Sequence, residues 1–317
     1  MTLRPNALLR RLDWRGRWLL VILALLVVAL LRPKFPMRQE ILNSIFVVDV
    51  SQSMNTRDYL IGDKPTSRIH VVRDTLRKSL ATMPCGSRMG LAIFSEYRSF
   101  LLLSPVEVCD NYAELSASID HISGKMAWAG GSEIAKGLNW GLKMAVQIEP
   151  RPSLVFLTDG HEAPPISFKN RPRIDVKAGE VRGVLIGVGN DELSPIPKLD
   201  PDGNVLGFWQ ADEVAQVDIY SKGRAGSVSG EKMADDDANA KKKNPTEHLS
   251  SVKETYLKLL AQENGLSYAR LSLPVDLVAL LASKQIAQQA AIPTPVGWIA
   301  ALLALLNVIA MYLWRPR

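Results

Sequence analysis

Three short, oxygen-rich segments of this chain carry residue types that bind divalent cations. Carboxylate and hydroxyl oxygens are the hard ligands that Mg²⁺ and Ca²⁺ prefer in proteins. The segments are Asp49-Val50-Ser51-Gln52-Ser53, Gly130-Gly131-Ser132-Glu133 and Thr158-Asp159-Gly160. The first follows the apolar run 45–48, and the last follows the apolar run 154–157. Because α/β proteins bind ligands beyond the carboxyl ends of their strands, we expect these segments to meet at one edge of a sheet.

The spacing of the residues supports a shared site. Residues at i, i+2 and i+4 of an extended backbone point the same way, so the side chains of Asp49, Ser51 and Ser53 converge. Two glycines before Ser132 let that loop approach closely. Each segment also has a purely structural interpretation, since Ser132 is a good helix N-cap and Asp159 begins a common turn signal. Their occurrence together, at strand ends and a helix start, favours a metal site.

Hydrophobic periodicity predicts the elements that position these segments. The predicted helices are 67–83, 111–122, 132–147, 250–263 and 275–289, and the predicted strands are 45–50, 153–157, 184–188 and 267–272, with a hairpin over 89–103. Strands that alternate with helices over 41–290 predict one α/β domain, with a mainly parallel central sheet and one antiparallel hairpin at its edge. The polar segment 222–246 predicts a mobile insertion within this domain.

Two apolar segments, 18–32 and 296–314, predict transmembrane helices on either side of the domain. The first could also be a signal-peptide core, but Arg32-Pro33-Lys34 follows it without a small-residue cleavage site, which favours an uncleaved anchor. The tail 1–17 has five arginines against one acid, and the tail 315–317 has two arginines. This bias predicts cytoplasmic termini, an inner-membrane protein and a periplasmic domain.

The formal net charge of +6 resides in these two tails, because residues 18–314 contain 31 basic and 31 acidic residues. A domain without net positive charge does not have the electrostatic surface of a nucleic-acid binder. The charge distribution therefore excludes nucleic acid as the expected partner.

Two cysteines, Cys85 and Cys109, lie twelve residues on either side of Tyr97, where the predicted hairpin turns. Residues equidistant from a hairpin turn face each other, so the two cysteines are expected at its open end. Outside the cytoplasm such a pair favours a disulfide, which would stabilise the fold by roughly 3 kcal/mol. The alternative is a pair of free buried thiols.

The three segments resemble the metal-ion-dependent adhesion site of von Willebrand factor type A (vWA) domains. The matching strings are Asp49-Val50-Ser51-Gln52-Ser53-Met54, Gly130-Gly131-Ser132 and Leu157-Thr158-Asp159-Gly160. The resemblance covers roughly residues 41–290 and implies a Rossmann-like fold with the ion on top of the sheet. It implies that Asp49, Ser51, Ser53, Ser132 and Asp159 are metal ligands, with Ser132 at a position usually held by threonine. Mg²⁺ is the expected ion, with Ca²⁺ or Mn²⁺ as alternatives.

A narrower resemblance rests on the segments 84–88, 96–99, 105–109 and 159–165. These are similar to the membrane-anchored vWA proteins of bacterial methanol-oxidation clusters, which implies a role in maturing methanol dehydrogenase, including its calcium loading. The chain also resembles the broader group of aerotolerance-type membrane proteins encoded beside MoxR-family AAA+ ATPases. That resemblance implies other vWA membrane proteins or such an ATPase as partners.

The leading hypothesis is a non-enzymatic assembly factor whose metal ion is completed by a carboxylate of a client protein. A second hypothesis is a metal-dependent hydrolase that uses His161 and Glu162 as acid–base groups beside Asp159. A third is a structural module in which the motif only caps loops. The predicted partner contacts are Trp128, Glu133, His161 and Glu162.

Overall fold

The computed structural model describes residues 14–166, 171–200, 202–216, 246–273, 277–283 and 286–313. It divides the chain into two units, a central unit formed by Ile41–Gln288 and an end unit formed by Met1–Glu40 with Gln289–Arg317. Most of the predicted insertion 222–246, residues 1–13 of the first basic tail and all of the tail 315–317 lie outside the described residues.

Helices and strands alternate along much of the described chain. The helices are α1 (Trp14–Leu30), α2 (Arg68–Thr82), α3 (Tyr112–His121), α4 (Ile134–Gln147), α5 (Glu254–Glu263), α6 (Leu277–Ser283) and α7 (Gly297–Leu313). The strands are β1 (Lys34–Ile41), β2 (Asn43–Asp49), β3 (Tyr59–Ile61), β4 (Lys64–Thr66), β5 (Arg88–Ser95), β6 (Arg98–Glu107), β7 (Ser153–Thr158), β8 (Gly183–Gly187), β9 (Ser194–Pro195), β10 (Pro197–Leu199), β11 (Val205–Phe208), β12 (Leu249–Ser250), β13 (Ser267–Arg270) and β14 (Gln288–Pro295).

A mixed sheet forms the middle of the central unit. Within the described residues it has six strands in the order β13-β8-β7-β2-β5-β6. Every neighbouring pair is parallel except β5 and β6, which form the antiparallel hairpin at one edge. The predicted α/β fold, with a mainly parallel sheet and one hairpin edge, is confirmed.

Helices cover both faces of this sheet. On one face Phe46 and Val48 pack into a core with residues of α2, α3 and α6. On the other face Ile45 and Val47 pack with residues of α4 and α5. Successive side chains of a strand point to opposite faces, so a strand buried on both sides needs an uninterrupted apolar run. That run is why β2 and its loop can be located from the sequence.

The β5–β6 hairpin is closed by the predicted disulfide. Leu91 pairs with Leu103 across the hairpin, close to the expected register. Cys85 and Cys109 are joined, with their Cα atoms 5.4 Å apart. The prediction of a disulfide is confirmed, and the alternative of two free thiols is wrong.

The end of the predicted helix 275–289 differs from the structure. α6 ends at Ser283, and Gln288–Pro295 instead forms strand β14, which pairs with β1 in a two-stranded ribbon. Pro293 and Pro295 favour a strand at the end of this segment, because a proline disfavours the helical conformation of the residue before it. A ribbon edge tolerates these prolines, since the missing N–H groups need no partner there.

The prediction of two transmembrane helices is wrong. In the end unit, α1 and α7 pack against each other, and each has 17 residues. None of the helices in the described ranges is long and apolar enough to cross a membrane. This finding overturns the predicted transmembrane spans 18–32 and 296–314. It also overturns the predicted inner-membrane localisation with a periplasmic domain, which rests on those spans.

Candidate metal centre

The three oxygen-rich segments meet at the carboxyl edge of the central sheet. β2 ends at Asp49, and its parallel neighbour β7 ends at Thr158. Thr158 Oγ1 donates a hydrogen bond of 2.6 Å to Asp49 Oδ2, which joins the two strand ends. The middle segment reaches the same edge, because the backbones of Ser132 and Ala163 exchange two hydrogen bonds of 2.7 Å. The structure thus brings the three segments together.

The loop after β2 places its two serines beside the first carboxylate. Ser51 N donates a hydrogen bond of 2.8 Å to Asp49 Oδ1, and the hydroxyl oxygens of Ser51 and Ser53 lie 3.2 Å apart. A short 3₁₀ helix, Gln52–Asn55, turns the chain here and keeps the serines adjacent. All three predicted ligands of this loop are buried. The hydroxyls of Ser51 and Ser53 are therefore adjacent in a loop turned by a 3₁₀ helix, rather than in the extended backbone that the alternating spacing assumes.

The hydroxyl of Ser132 is an unsatisfied buried group. The residue is 2% exposed, and its Oγ has no hydrogen-bond partner among the described residues. Ser132 does not act as the N-cap of α4, since that helix begins at Ile134 without a side-chain cap from the preceding residue. A buried polar atom without a partner costs about 1–3 kcal/mol. A cation ligated by this hydroxyl would satisfy it.

Asp159 differs from Asp49 in how its carboxylate is used. Oδ1 of Asp159 accepts a hydrogen bond of 2.9 Å from His161 N. Oδ2 accepts bonds of 2.6 Å from Arg68 Nη1 and 3.0 Å from Ser250 Oγ. Since a carboxylate has about four acceptor positions, Asp159 keeps about one, on Oδ1. Asp49 keeps about one on each oxygen.

The same difference appears in the pKa values of the two carboxyl groups. Burial raises the pKa of Asp49 to about 7, and the charge of Asp159 adds to the rise, against hydrogen bonds from Ser51 and Thr158. Burial would also raise the pKa of Asp159, but its attraction to Arg68 and His161, together with hydrogen bonds from His161 and Ser53, outweighs burial and holds that pKa below the ordinary value. Asp159 is therefore ionised through an ion pair, whereas the charge of Asp49 lacks such compensation.

These donors fit a hard divalent cation. The ligands on offer are both oxygens of Asp49, the hydroxyls of Ser51, Ser53 and Ser132, and one oxygen of Asp159, directly or through water. Mg²⁺ is commonly held by one or two carboxylates together with several waters, and Ca²⁺ by larger sets of oxygens. The unsatisfied hydroxyl and the uncompensated carboxylate are the two features that a bound cation would relieve.

Sequence analysis misses Arg68, Asp58 and Ser250, which complete this edge. Arg68 begins α2 and is fully buried. Its Nε and Nη2 donate hydrogen bonds of 3.0 and 2.6 Å to Asp58 Oδ2. The sequence does contain a signal for a buried Arg68. This residue lies four and eight residues before Val72 and Leu76, which places it on the apolar face of the helix. A charge on that face needs a buried partner of opposite sign.

The four predicted partner contacts occupy different environments. Trp128 is 49% exposed, and its ring packs edge-on against Phe100 with centroids 4.9 Å apart. The side chain of Glu133 is 18% exposed. His161 and Glu162 are buried. Trp128 therefore offers the largest accessible surface of the four.

Glu162 stabilises the start of α4 from another loop. Its two carboxylate oxygens accept hydrogen bonds of 3.0 Å from Ile134 N and 3.2 Å from Ala135 N, which no partner within the helix satisfies. Burial raises the pKa of Glu162 to about 7, against these bonds and one from Tyr256. Glu162 thus caps the helix that follows the Ser132 segment.

Several solved structures are similar to this chain at low sequence identity. An aerotolerance-related membrane protein from Bacteroides fragilis is 15% identical, with 77% of this chain and 98% of that chain covered and a TM-score of 0.47. An uncharacterized membrane spanning protein from Vibrio fischeri is 15% identical, with 77% and 96% covered and a TM-score of 0.28. A von Willebrand factor type A protein from Catenulispora acidiphila is 11% identical, with 80% and 49% covered and a TM-score of 0.39. No curated protein matches the chain.

A family profile gives a more specific result. Residues 44–161 match the profile described as von Willebrand factor type A domain. The matched residues run from β2 to the loop after β7, so they include all five predicted metal ligands. The matched residues lie within the six-stranded mixed sheet and the helices on its two faces, so this part of the chain is similar to a vWA domain.

Proposed function

We propose that this vWA domain is a metal-dependent docking module that binds a carboxylate of a partner protein. The observation that carries the proposal is the buried hydroxyl of Ser132, which lacks a hydrogen-bond partner among the described residues and lies in the segment that reaches the edge of Asp49 and Asp159. Asp49, Ser51, Ser53 and Ser132 would hold a divalent cation, with Mg²⁺ as the expected ion. The bound ion would supply a coordination position for an incoming carboxylate.

Charge favours docking over a site that is complete by itself. The donor set consists of three neutral serine hydroxyls and two carboxylates. One of these carboxylates, on Asp159, is already paired with Arg68. A divalent ion in such a set would retain positive character. An acidic side chain of a partner is the ligand that best compensates it. vWA domains in general act as interaction modules rather than as enzymes.

The residues of the hydrolase hypothesis have other contacts. Glu162 uses both carboxylate oxygens to cap α4. Burial lowers the pKa of His161, so its ring is neutral near pH 7 and is 3% exposed. These two environments support docking as the first function to test. The identity of the client, including methanol dehydrogenase or a system with a MoxR-family ATPase, stays a prediction from the sequence resemblance.

The direct test is cation-dependent capture of a partner by the full-length chain. Immobilised wild-type protein, treated with EDTA and then given Mg²⁺, Mn²⁺ or Ca²⁺, is incubated with extract of the cells that express it. We expect a captured protein that is present with the cation and lost in EDTA. Asp49→Ala should abolish this capture, because it removes the carboxylate with free acceptor positions on both oxygens.

The matched control is Asp175→Ala, which removes an exposed carboxylate that pairs with Lys143. This variant should capture the partner as the wild type does. The docking proposal fails if capture is the same in EDTA as in Mg²⁺, or if Asp49→Ala and Asp175→Ala behave alike. Turnover of phosphate or carboxyl esters by the wild type, dependent on Mg²⁺ and lost in His161→Ala, would favour the hydrolase instead.

A further inference from the structure

A buried guanidinium lies among the loops at the carboxyl edge of the sheet. Arg68 is 0% exposed and donates to partners in three separate parts of the chain. It contacts Asp58 and the carbonyl of Ser53 in the loop after β2, Asp159 after β7, and Ser250 in β12. Its position therefore couples the loop that carries two proposed ligands to the loop that carries Asp159.

The loop after β8 is shaped around this side chain. Gly189 has a φ of +121°, a backbone conformation that favours glycine. A Cβ atom at Gly189 would lie 2.7 Å from Arg68 Nε, closer than nonbonded atoms approach. The next residue, Asn190, donates its backbone N–H to Asp58 Oδ2 at 2.9 Å, on the oxygen that Arg68 also binds. The arginine thus occupies a built pocket in which each of its three guanidinium nitrogens donates to an acceptor.

We propose that Arg68 is a positioning residue of the metal centre that limits how strongly Asp159 binds the cation. This inference rests on the proposed docking function. Arg68 Nη1 and Ser250 Oγ together fill the acceptor positions of Asp159 Oδ2, so only Oδ1 remains for a cation or its water. The guanidinium also neutralises the carboxylate whose oxygen it binds.

Arg68 therefore lowers the affinity of the site for the cation. A fixed positive charge one carboxylate away from a divalent cation repels it, and the low-dielectric surroundings of these buried groups strengthen the repulsion. Arg68 also keeps Asp159 compensated when no ion is bound, which stabilises the ion-free form. Both effects lower cation affinity. The charge of Arg68 also leaves the occupied site with more net positive charge to attract a partner's carboxylate.

The experiment measures Mn²⁺ binding to the full-length chain by isothermal titration calorimetry, with the Mn²⁺-induced shift in Tm as a second readout. Arg68→Met removes the guanidinium, and Arg68→Met with Asp58→Asn removes the opposite charge as well, so that the second variant folds without an unpaired Asp58. We expect Kd for Mn²⁺ at least tenfold lower than in the wild type, and a larger Tm shift. A purely structural role for Arg68 predicts the reverse, since a disordered site binds more weakly.

The control is Arg77→Met on the exposed face of the same helix, where the guanidinium pairs with Asp120. It should leave Kd for Mn²⁺ unchanged. If the wild type binds Mn²⁺ and Asp49→Ala does not, while neither Arg68 variant binds more tightly, the inference about Arg68 fails and the docking function stands. If none of these proteins binds Mn²⁺, both proposals are wrong.

Discussion

Replacing Ser132 by alanine separates a metal ligand from an ordinary buried serine, because only the loss of a ligand changes how much a cation stabilises the fold. Without a cation, the wild-type hydroxyl is buried and has no partner among the described residues. Its removal should raise the free energy of unfolding by about 1–3 kcal/mol. For a unit the size of Ile41–Gln288, each kcal/mol corresponds to about 2–4 °C in Tm.

With a cation, the stability advantage of the variant over the wild type should shrink. A ligand present at a hundred times its Kd stabilises the folded state by about 2.7 kcal/mol. Ser132→Ala removes one of the proposed ligands, so the variant should gain less from Mg²⁺ than the wild type gains. We therefore expect Ser132→Ala to melt above the wild type in EDTA and to show a reduced Mg²⁺-induced rise in Tm. Thermal unfolding of the full-length chain, followed by circular dichroism, measures both quantities.

The control for this prediction is Ser153→Ala at the opposite edge of the sheet. Ser153 begins β7, is 1% exposed, and also has an Oγ without a partner in the described part of the chain. It should raise Tm in EDTA to a similar extent while keeping the full Mg²⁺ response. The reasoning is refuted if Ser132→Ala melts below the wild type in EDTA, or if its response to Mg²⁺ equals that of Ser153→Ala.

Three further predictions concern the fold around the site. Replacing Cys85 and Cys109 together by serine should lower the free energy of unfolding in urea by about 3 kcal/mol, because the disulfide closes a loop with a sequence separation of 24. Gly137→Ala should cost about 1–3 kcal/mol by the same measurement, because the added Cβ would lie 2.2 Å from ring carbons of Phe94. Glu162→Gln should flatten the pH dependence of stability. Since burial raises the pKa of Glu162 from 4.5 to about 7, its contribution is full below pH 4.5 and is lost as the pH rises through 7.

Each of these changes has a comparison that isolates its cause. The wild type in a reducing agent should match the double serine variant, and a reductant-insensitive urea midpoint would contradict the disulfide prediction. Gly141→Ala, whose Cβ would lie 3.4 Å from Leu154, should be neutral or slightly stabilising through helix propensity. Equal effects at Gly137 and Gly141 would argue against overpacking. A urea midpoint for Glu162→Gln that follows the wild type from pH 5 to 8 would exclude Glu162 as the titrating group.

Much of the fold is predictable because burial on both faces leaves a strong local signal. β2 and β7 contain the uninterrupted apolar runs 45–48 and 154–157, and the helices that cover them repeat their apolar residues every three to four positions. The chain ends are less predictable. An apolar run shows that a segment avoids water, but it does not determine where its helix stops. Here the apolar run predicts a helix over 18–32, whereas α1 ends at Leu30 and β1 begins at Lys34, so composition misplaces the end of the helix.

The site is predictable only to the extent that strand ends determine it. Asp49 and Asp159 follow adjacent parallel strands, so their proximity follows from the sheet order. The ion pair of Asp159 with Arg68 does not, because 91 residues separate the two and only the packed loops bring them together. The cap on α4 illustrates the same limit. Ser132 has the local sequence pattern of a helix N-cap, yet the carboxylate of Glu162, in a distant loop, accepts the hydrogen bond from the first N–H of α4.

Asp159 has a compensating charge within the protein and Asp49 does not, and this difference bears on how the site releases and rebinds its ion. Two uncompensated carboxylates at one buried edge would repel each other whenever the ion left, and the edge would be destabilised with each release. The guanidinium of Arg68 permanently compensates the charge of Asp159, so only Asp49 depends on an exchangeable metal ion for compensation. The loops that contact Arg68 then keep their positions in the ion-free state. On the proposed function, a partner could be released by loss of the ion while the domain stays folded and ready to bind again.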